Sequence, residues 1–144
     1  MGFSNYPLYV ISAGLLFIGS NAFAQEWIYY GSNFIISSYY ESGSIRDLNN
    51  NKATVLIKQS YTNRDAAIKF FKKYGIYDEN VEYEDHKVAQ MIIDCANKAI
   101  GVKSATSYRE KEKIISEIIN EKVDYVPIPE GSLYSILHDL TCKR

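Results

Sequence analysis

The sequence predicts an α+β domain: an antiparallel β-sheet of about five to six strands with a C-terminal helix packed on one face and tethered by a disulfide. Three observations point there. Aromatic and β-branched stretches alternate with Gly, Asn and Ser turns along most of the chain, the signature of short strands. Near the C-terminus Leu133, Ile136, Leu137 and Leu140 recur at i, i+3, i+4 and i+7, a narrow apolar helical stripe. The only two cysteines, Cys95 and Cys142, stand at the end of a strand-like segment and just behind that stripe.

Export explains the cysteines. Residues 1–24 contain no Asp, Glu, Lys or Arg, and the apolar run Leu8 to Gly19 leads to Ala22-Phe23-Ala24. Small residues at −3 and −1 behind an apolar core are what signal peptidase reads, so cleavage after Ala24 is expected, with residues 25–144 as one domain. The run is short for a membrane anchor and lacks flanking basic residues, so no transmembrane helix is expected after cleavage. An even cysteine count in an exported chain predicts an oxidised Cys95–Cys142 pair, two free thiols being the alternative.

The elements follow in order. Trp27 to Tyr30 and Phe34 to Tyr40 read as strands, separated by Gly31-Ser32-Asn33. Asp47 to Lys52 is a polar turn whose asparagines tolerate positive φ, and Ala53 to Tyr61 returns antiparallel. The period then changes. Ala67, Phe70, Phe71 and Tyr74 fall at helical spacing behind the caps Thr62 or Asn63, and Gly75 ends that inserted helix. Residues 77–85 (YDENVEYED) read as an exposed acidic link. Lys87 to Cys95 is a central strand that places Ala89, Met91, Ile93 and Cys95 on one face, and Ala99 to Tyr108 pairs back across Ala96-Asn97-Lys98. Residues 110–122 fit either an amphipathic helix or a strand with a bulge. Two alternate prolines make residues 123–129 an extended edge, and Ser132 caps the final helix.

Chemistry-bearing patterns are few. A net charge of −1 argues against a nucleic-acid partner. No phosphate loop, dinucleotide fingerprint or other cofactor motif occurs. His86 and His138 each adjoin an aspartate, but their spacing fits no ligand motif, and both are expected at the surface. Ser135 near His138 lacks a nucleophile-elbow context. Lys103, Arg109, Lys111 and Lys113 gather near Tyr108, either as a contact patch for an acidic partner or as a solvated strand end with Glu110 and Glu112 interleaved. Tyr29, Tyr39 and Tyr40 in the first hairpin read as interface or core, since tyrosine serves both. The candidate binding residues are therefore Tyr29, Tyr39, Tyr40, Tyr108, Arg109, Lys111 and Lys113, with no catalytic or metal-binding set.

Several short motifs, in order, resemble the surface-adhesin protein E family of Gram-negative bacteria. They are Trp27-Ile28-Tyr29-Tyr30-Gly31-Ser32, Tyr39-Tyr40-Glu41-Ser42-Gly43-Ser44-Ile45, Ile92-Ile93-Asp94-Cys95, and Val126-Pro127-Ile128-Pro129-Glu130-Gly131-Ser132 with Leu137 and Cys142 behind it. Arg64 to Gly75 looks like an insertion against that pattern. The resemblance implies an antiparallel sheet with a disulfide-tethered helix on its concave face, placement in the periplasm or on the cell surface, and non-catalytic adhesion to host matrix or other proteins. An inhibitor or immunity-type partner protein is the second reading. A metal-dependent enzyme using His86 and His138 is a distant third, and a homodimer is left open.

Overall fold

Six strands run in sequence order across an antiparallel sheet: β1 (Trp27–Ser32), β2 (Ile36–Leu48), β3 (Lys52–Tyr61), β4 (His86–Asp94), β5 (Ala99–Arg109) and β6 (Lys113–Ile119). A seventh, β7 (Val126–Pro127), pairs with Ala99 and Ile100 of β5. The sheet is thus one short strand wider than the sequence predicts. Helix α1 (Arg64–Lys73) is inserted between β3 and β4, and α2 (Leu133–Cys142) closes the chain. The computed structural model describes residues 26–143. The expected signal segment and its cleavage site lie outside the described residues.

Every neighbouring pair along the path is antiparallel, and all but β3–β4, which the α1 insertion joins, are linked by short turns that set the register. At the β2–β3 turn Asn50 and Asn51 adopt φ of 64° and 60°, the left-handed geometry asparagine tolerates. The β5–β6 turn holds Lys111 and Glu112 at φ of 62° and 58°, a conformation neither residue favours. Residues 110–122 therefore resolve as a tight turn followed by a strand, with a register shift between Ser107 and Tyr108. Residues 123–129 are extended, yet only Val126 and Pro127 pair, because proline offers no N–H to a ladder.

Alternation puts Val55 and Ile57 of β3, Ala89, Met91 and Ile93 of β4, and Ile100 of β5 on one face, where they form a core with Leu137 of α2. Tyr30, Tyr40, Ile45, Val102 and Tyr134 pack around it. Burial pushes the Tyr30 hydroxyl up to about 12. Ser132 caps α2, its hydroxyl accepting from the Ser135 amide at 3.2 Å. Ile136 departs from the predicted stripe: it is exposed, and Leu133, Tyr134 and Thr141 flank Leu137 on the packed side instead.

Cys95 and Cys142 are joined, their Cα atoms 5.8 Å apart. Cys95 stands one residue past β4, in the turn rather than in the strand, and Cys142 is the last residue of α2 rather than beyond it. A second clasp lies beside the bond. His138 donates from Nε2 to the Cys95 carbonyl at 3.2 Å, and its Nδ1 is 3.3 Å from Asp139. His86 is buried as well, so both histidines depart from the expected surface placement, each held by ring-nitrogen partners a solvated residue would not need.

The acidic link is also less exposed than its composition suggests. It contains a 3₁₀ turn (Glu79–Glu82), and Val81 and Glu84 are buried. Glu84 accepts from the Tyr61 hydroxyl at 2.7 Å. Burial first, then this bond to a carboxylate, holds the Tyr61 hydroxyl well above the ordinary tyrosine value. Arg64 at the start of α1 donates to the Val81 and Glu84 carbonyls, both at 2.7 Å, fastening the insertion to this segment.

Candidate functional site

Among the described residues no helix covers the opposite face of the sheet. It is built from the alternate residues of the same strands, and the pairing register sets them in rows. One row runs Tyr29, Tyr39, Lys58, Val88, Thr106, Glu117. The next runs Trp27, Glu41, Leu56, Gln90, Ser104, Ile119. A third, nearer one end, runs Ser60, His86, Tyr108, Ile114. From these rows Trp27, Leu56, Lys58, Val88, Gln90, Thr106, Tyr108 and Glu117, together with Thr54, Arg46 and Lys103, bound a groove of about 970 Å³, and Tyr29 and Tyr39 stand beside it on β1 and β2.

Its walls differ in chemistry. On the β1–β2 side Tyr29 and Tyr39 meet edge to face at 5.6 Å, and Lys58 Nζ lies 5.5 Å from the ring centres of both Trp27 and Tyr39. The floor is polar: Gln90 Nε2 donates to Thr54 Oγ1 at 3.2 Å, and Thr54 donates to the Met91 carbonyl at 3.0 Å. The β5–β6 side presents Glu112, Glu117 and the exposed Ile119. At the closed end of that wall His86 stacks on Tyr108, ring centres 4.8 Å apart. Its Nδ1 is 2.8 Å from Asp85 and its Nε2 3.5 Å from Glu112. Burial, then the Glu112 and Glu117 carboxylates, raises the Tyr108 hydroxyl above its ordinary value.

Near Gly101 the chain itself passes over β5. A Cβ at Gly101 would lie 2.3 Å from Val123 Cγ1 and 2.9 Å from the Asp124 carbonyl, so the 123–124 segment crosses the sheet where β5 has no side chain. Lys103 donates to the Asn120 carbonyl at 3.1 Å and Asn120 returns a bond to Val102 at 2.9 Å, fixing where the crossing starts.

The structure divides the sequence-derived binding residues. Tyr29, Tyr39 and Tyr108 reach the open face. Tyr40 faces the other way, packed 6.0 Å from Tyr30 against the core, and is a structural residue. Arg109, Lys111 and Lys113 line a separate notch of about 500 Å³ with Arg64, Tyr83 and the carboxylates of Glu82, Asp85 and Glu110. Arg109 lies 5.5 Å over the Tyr83 ring there. Trp27, Lys58, Thr54, Gln90 and Glu117 were missed, and His86 was weighed only as a metal ligand; their signal was the alternation opposite the core residues, readable once the registers are known.

The two histidines share no site. His86 opens β4 and His138 bonds to the residue just after it, so the nine-residue strand separates them by roughly 30 Å at about 3.3 Å per residue. Among the described residues no cluster of three or more His, Cys, Asp or Glu is arranged to hold a metal ion. None of the described helices is long and apolar enough to cross a membrane.

The chain is similar to solved structures of Haemophilus influenzae protein E. Crystal form II of that protein aligns with a TM-score of 0.46 at 13% identity, over 74% of this chain and 80% of the other. Protein E from a non-typeable Haemophilus influenzae aligns with a TM-score of 0.42 at 15% identity, over 76% and 71%. No family model and no curated protein matches the chain.

Proposed function

We propose that this chain is an exported, non-catalytic binding protein, adhesin-like, that engages a protein partner through the open face of its sheet. The groove carries the reading. Aromatic anchors, a polar floor and both signs of charge are set on paired strands whose other face is locked by a helix and a disulfide, so the surface is presented rigidly. Rigid aromatic and charged side chains around a concavity are the composition of protein interfaces. The disulfide supports an oxidising compartment, as the leader sequence does, and the resemblance to the protein E family adds host matrix proteins as the class to try first. Because the inference by family is an analogy, the groove and not the name is what an experiment addresses.

The inhibitor or immunity-type reading drew on the acidic segment 77–85. Most of those carboxylates are engaged internally: Glu82 with the Tyr77 hydroxyl, Glu84 with Tyr61, Asp85 with His86, and Asp78 with the Asn80 amide. Those bonds fix the carboxylates in place without removing their charge.

The test is binding of the exported protein to a panel of matrix proteins on a sensor surface at physiological salt. Binding that Lys58→Glu or Glu117→Lys lowers at least tenfold is expected, as loss of a charged interface residue costs roughly 1.4 kcal/mol or more. Absence of binding across the panel removes the matrix-adhesin version. Binding that neither substitution changes removes the groove.

A further inference from the structure

The two margins of the sheet are finished differently. At one margin β1 is bulged, its register shifting between Tyr29 and Gly31. Helix α2 leans on it there, since a Cβ at Gly31 would lie 2.6 Å from Leu133 Cδ2. Bulges and covering elements are how a sheet edge is kept from pairing with another chain. At the other margin β6 is the last strand of the path, and among the described residues no strand pairs with its outer side. Residues 116–119 of β6 carry no proline and no register shift. Ile114, Ile118 and Ile119 are 56%, 56% and 74% exposed. Strand β7 pairs with the far end of β5 and leaves β6 open.

The register fixes which backbone groups of β6 point outward. The Asn120 amide donates to the Lys103 carbonyl at 2.9 Å, and one residue earlier Ile119 stands opposite Ser104. In an antiparallel pair, hydrogen-bonded and non-hydrogen-bonded positions alternate. Asn120 with Lys103 is a hydrogen-bonded position, so Ile119 with Ser104 is not, and neither is Glu117 with Thr106. The N–H and C=O groups of Glu117 and Ile119 therefore face away from β5. They form two donors and two acceptors at strand spacing, the template that an added strand reads. The side chains of the same two residues line the groove. A strand joined here would widen the groove floor by about 4.8 Å.

Glu117 decides between occupants, because residues directly opposite across an antiparallel pair share a face and interact. A second copy of this chain, paired antiparallel across β6, would set Glu117 opposite Ile115, Glu117, Ile119 or Glu121 as the two-fold falls on Ser116, Glu117, Ile118 or Ile119. None of these is basic, and two are carboxylates. With the two-fold on Ile115 the opposite residue would be Lys113. The register shift in β6 puts Lys113 beside Arg109, off the face that carries Glu117. The neighbouring groove charges, Lys103 and Glu112, meet either occupant alike, so the residue opposite Glu117 makes the difference. We infer that the β6 edge takes an extended segment of a different protein, added antiparallel to β6, with a basic residue opposite Glu117 and an apolar residue opposite Ile119. This rests on the proposed partner being a protein and adds how it is held: main-chain bonds along β6 fix the segment, while the groove meets the rest of the partner.

The test is residue-resolved amide hydrogen exchange of the purified protein with and without two capped ten-residue peptides. One alternates valine and threonine with an arginine replacing the central valine, and the other has glutamate in place of that arginine. Without peptide, the Glu117 and Ile119 amides should exchange fast and the Asn120 amide slowly. The arginine peptide should slow Glu117 and Ile119 by about tenfold or more at saturation, and bind about two- to fivefold tighter than the glutamate peptide. E117K should reverse that preference. I119P should abolish binding with a melting temperature close to the parent's, because the N–H it removes makes no bond within the sheet and an edge strand tolerates proline. Fast exchange at both amides with peptide bound, equal affinity for the two peptides, no binding of either, or an I119P variant that binds like the parent overturns the proposal. So does protection of those amides that rises with protein concentration in the absence of peptide, the mark of a second copy. Matrix-protein binding that K58E lowers and I119P leaves intact overturns the edge and keeps the groove. Peptide binding as described, with no matrix protein bound, supports the edge and removes only the matrix partner.

Discussion

The two faces of one sheet are made from alternate residues of the same strands, and they differ in cover and in chemistry. On the helix face Val55, Ile57, Ile93 and Leu137 exclude water, and one covalent bond locks the cover in place. On the open face the residues between them are Thr54, Leu56, Lys58, Val88, Gln90, Thr106 and Tyr108, mixed in polarity, with Glu117 adding the opposite charge from β6. The difference teaches how a small domain can carry a groove of mixed polar and apolar lining. Stability is concentrated on one side, so the other side can be chosen for contact. A substitution should then report which face it sits on by whether it moves melting or binding.

The disulfide offers the largest effect. Cys95 and Cys142 are 47 residues apart, and closing a loop of that length stabilises by about 4 kcal/mol on the chain-entropy model. Reduction should therefore lower the melting temperature strongly, measured by thermal denaturation with and without reductant. Leu137→Ala comes next: a fully buried leucine against the sheet costs about 2–5 kcal/mol when truncated. Gly101→Ala, driven into Val123 and the Asp124 carbonyl, should cost about 1–3 kcal/mol by overpacking. It also tests whether the 123–124 crossing helps shape the groove, because the crossing must move to admit the methyl group.

An acid titration gives a smaller effect with a defined sign. Asp94 accepts from the Asn97 side chain at 3.0 Å and its amide at 3.1 Å. These bonds first, and Lys52 after them, hold its carboxyl below the ordinary value of 3.8. A group depressed in the folded state contributes stability that is present above its unfolded value and lost as pH falls through the folded one. Stability lost below pH 3.8 should thus be reduced in Asp94→Asn, as followed by acid unfolding. Tyr29→Ala, on the exposed side, should move melting least and binding most.

Much of the helix face was legible. Alternation in Ala89, Met91 and Ile93 and the stripe at Leu133, Leu137 and Leu140 carry their own periods, and two cysteines leave one pairing. The open face was legible only in part. Tyr29, Tyr39 and Tyr108 stand out by type, but Tyr40 reads the same way and a one-residue shift sends it to the core. Lys58 and Trp27 meet across three strands, and such proximity depends on registers and bulges that no local pattern encodes. His86 was misjudged for the same reason. Its partners Glu112 and Tyr108 come from β5 and the turn after it, so its burial is a property of pairing and not of neighbours in sequence. Ile136 was misjudged because a stripe gives the packed face of a helix, not its width.

The proposed division of labour between the faces is tested most directly by one paired measurement on the purified protein. Lys58→Glu and Leu137→Ala are compared for melting temperature and for binding to the matrix-protein panel, the binding read well below both melting points. The expected result is a crossover: Lys58→Glu loses binding with melting unchanged, and Leu137→Ala loses melting temperature with binding retained. If Lys58→Glu binds like the parent, or folded Leu137→Ala fails to bind, the open face is not the working surface and the account is wrong.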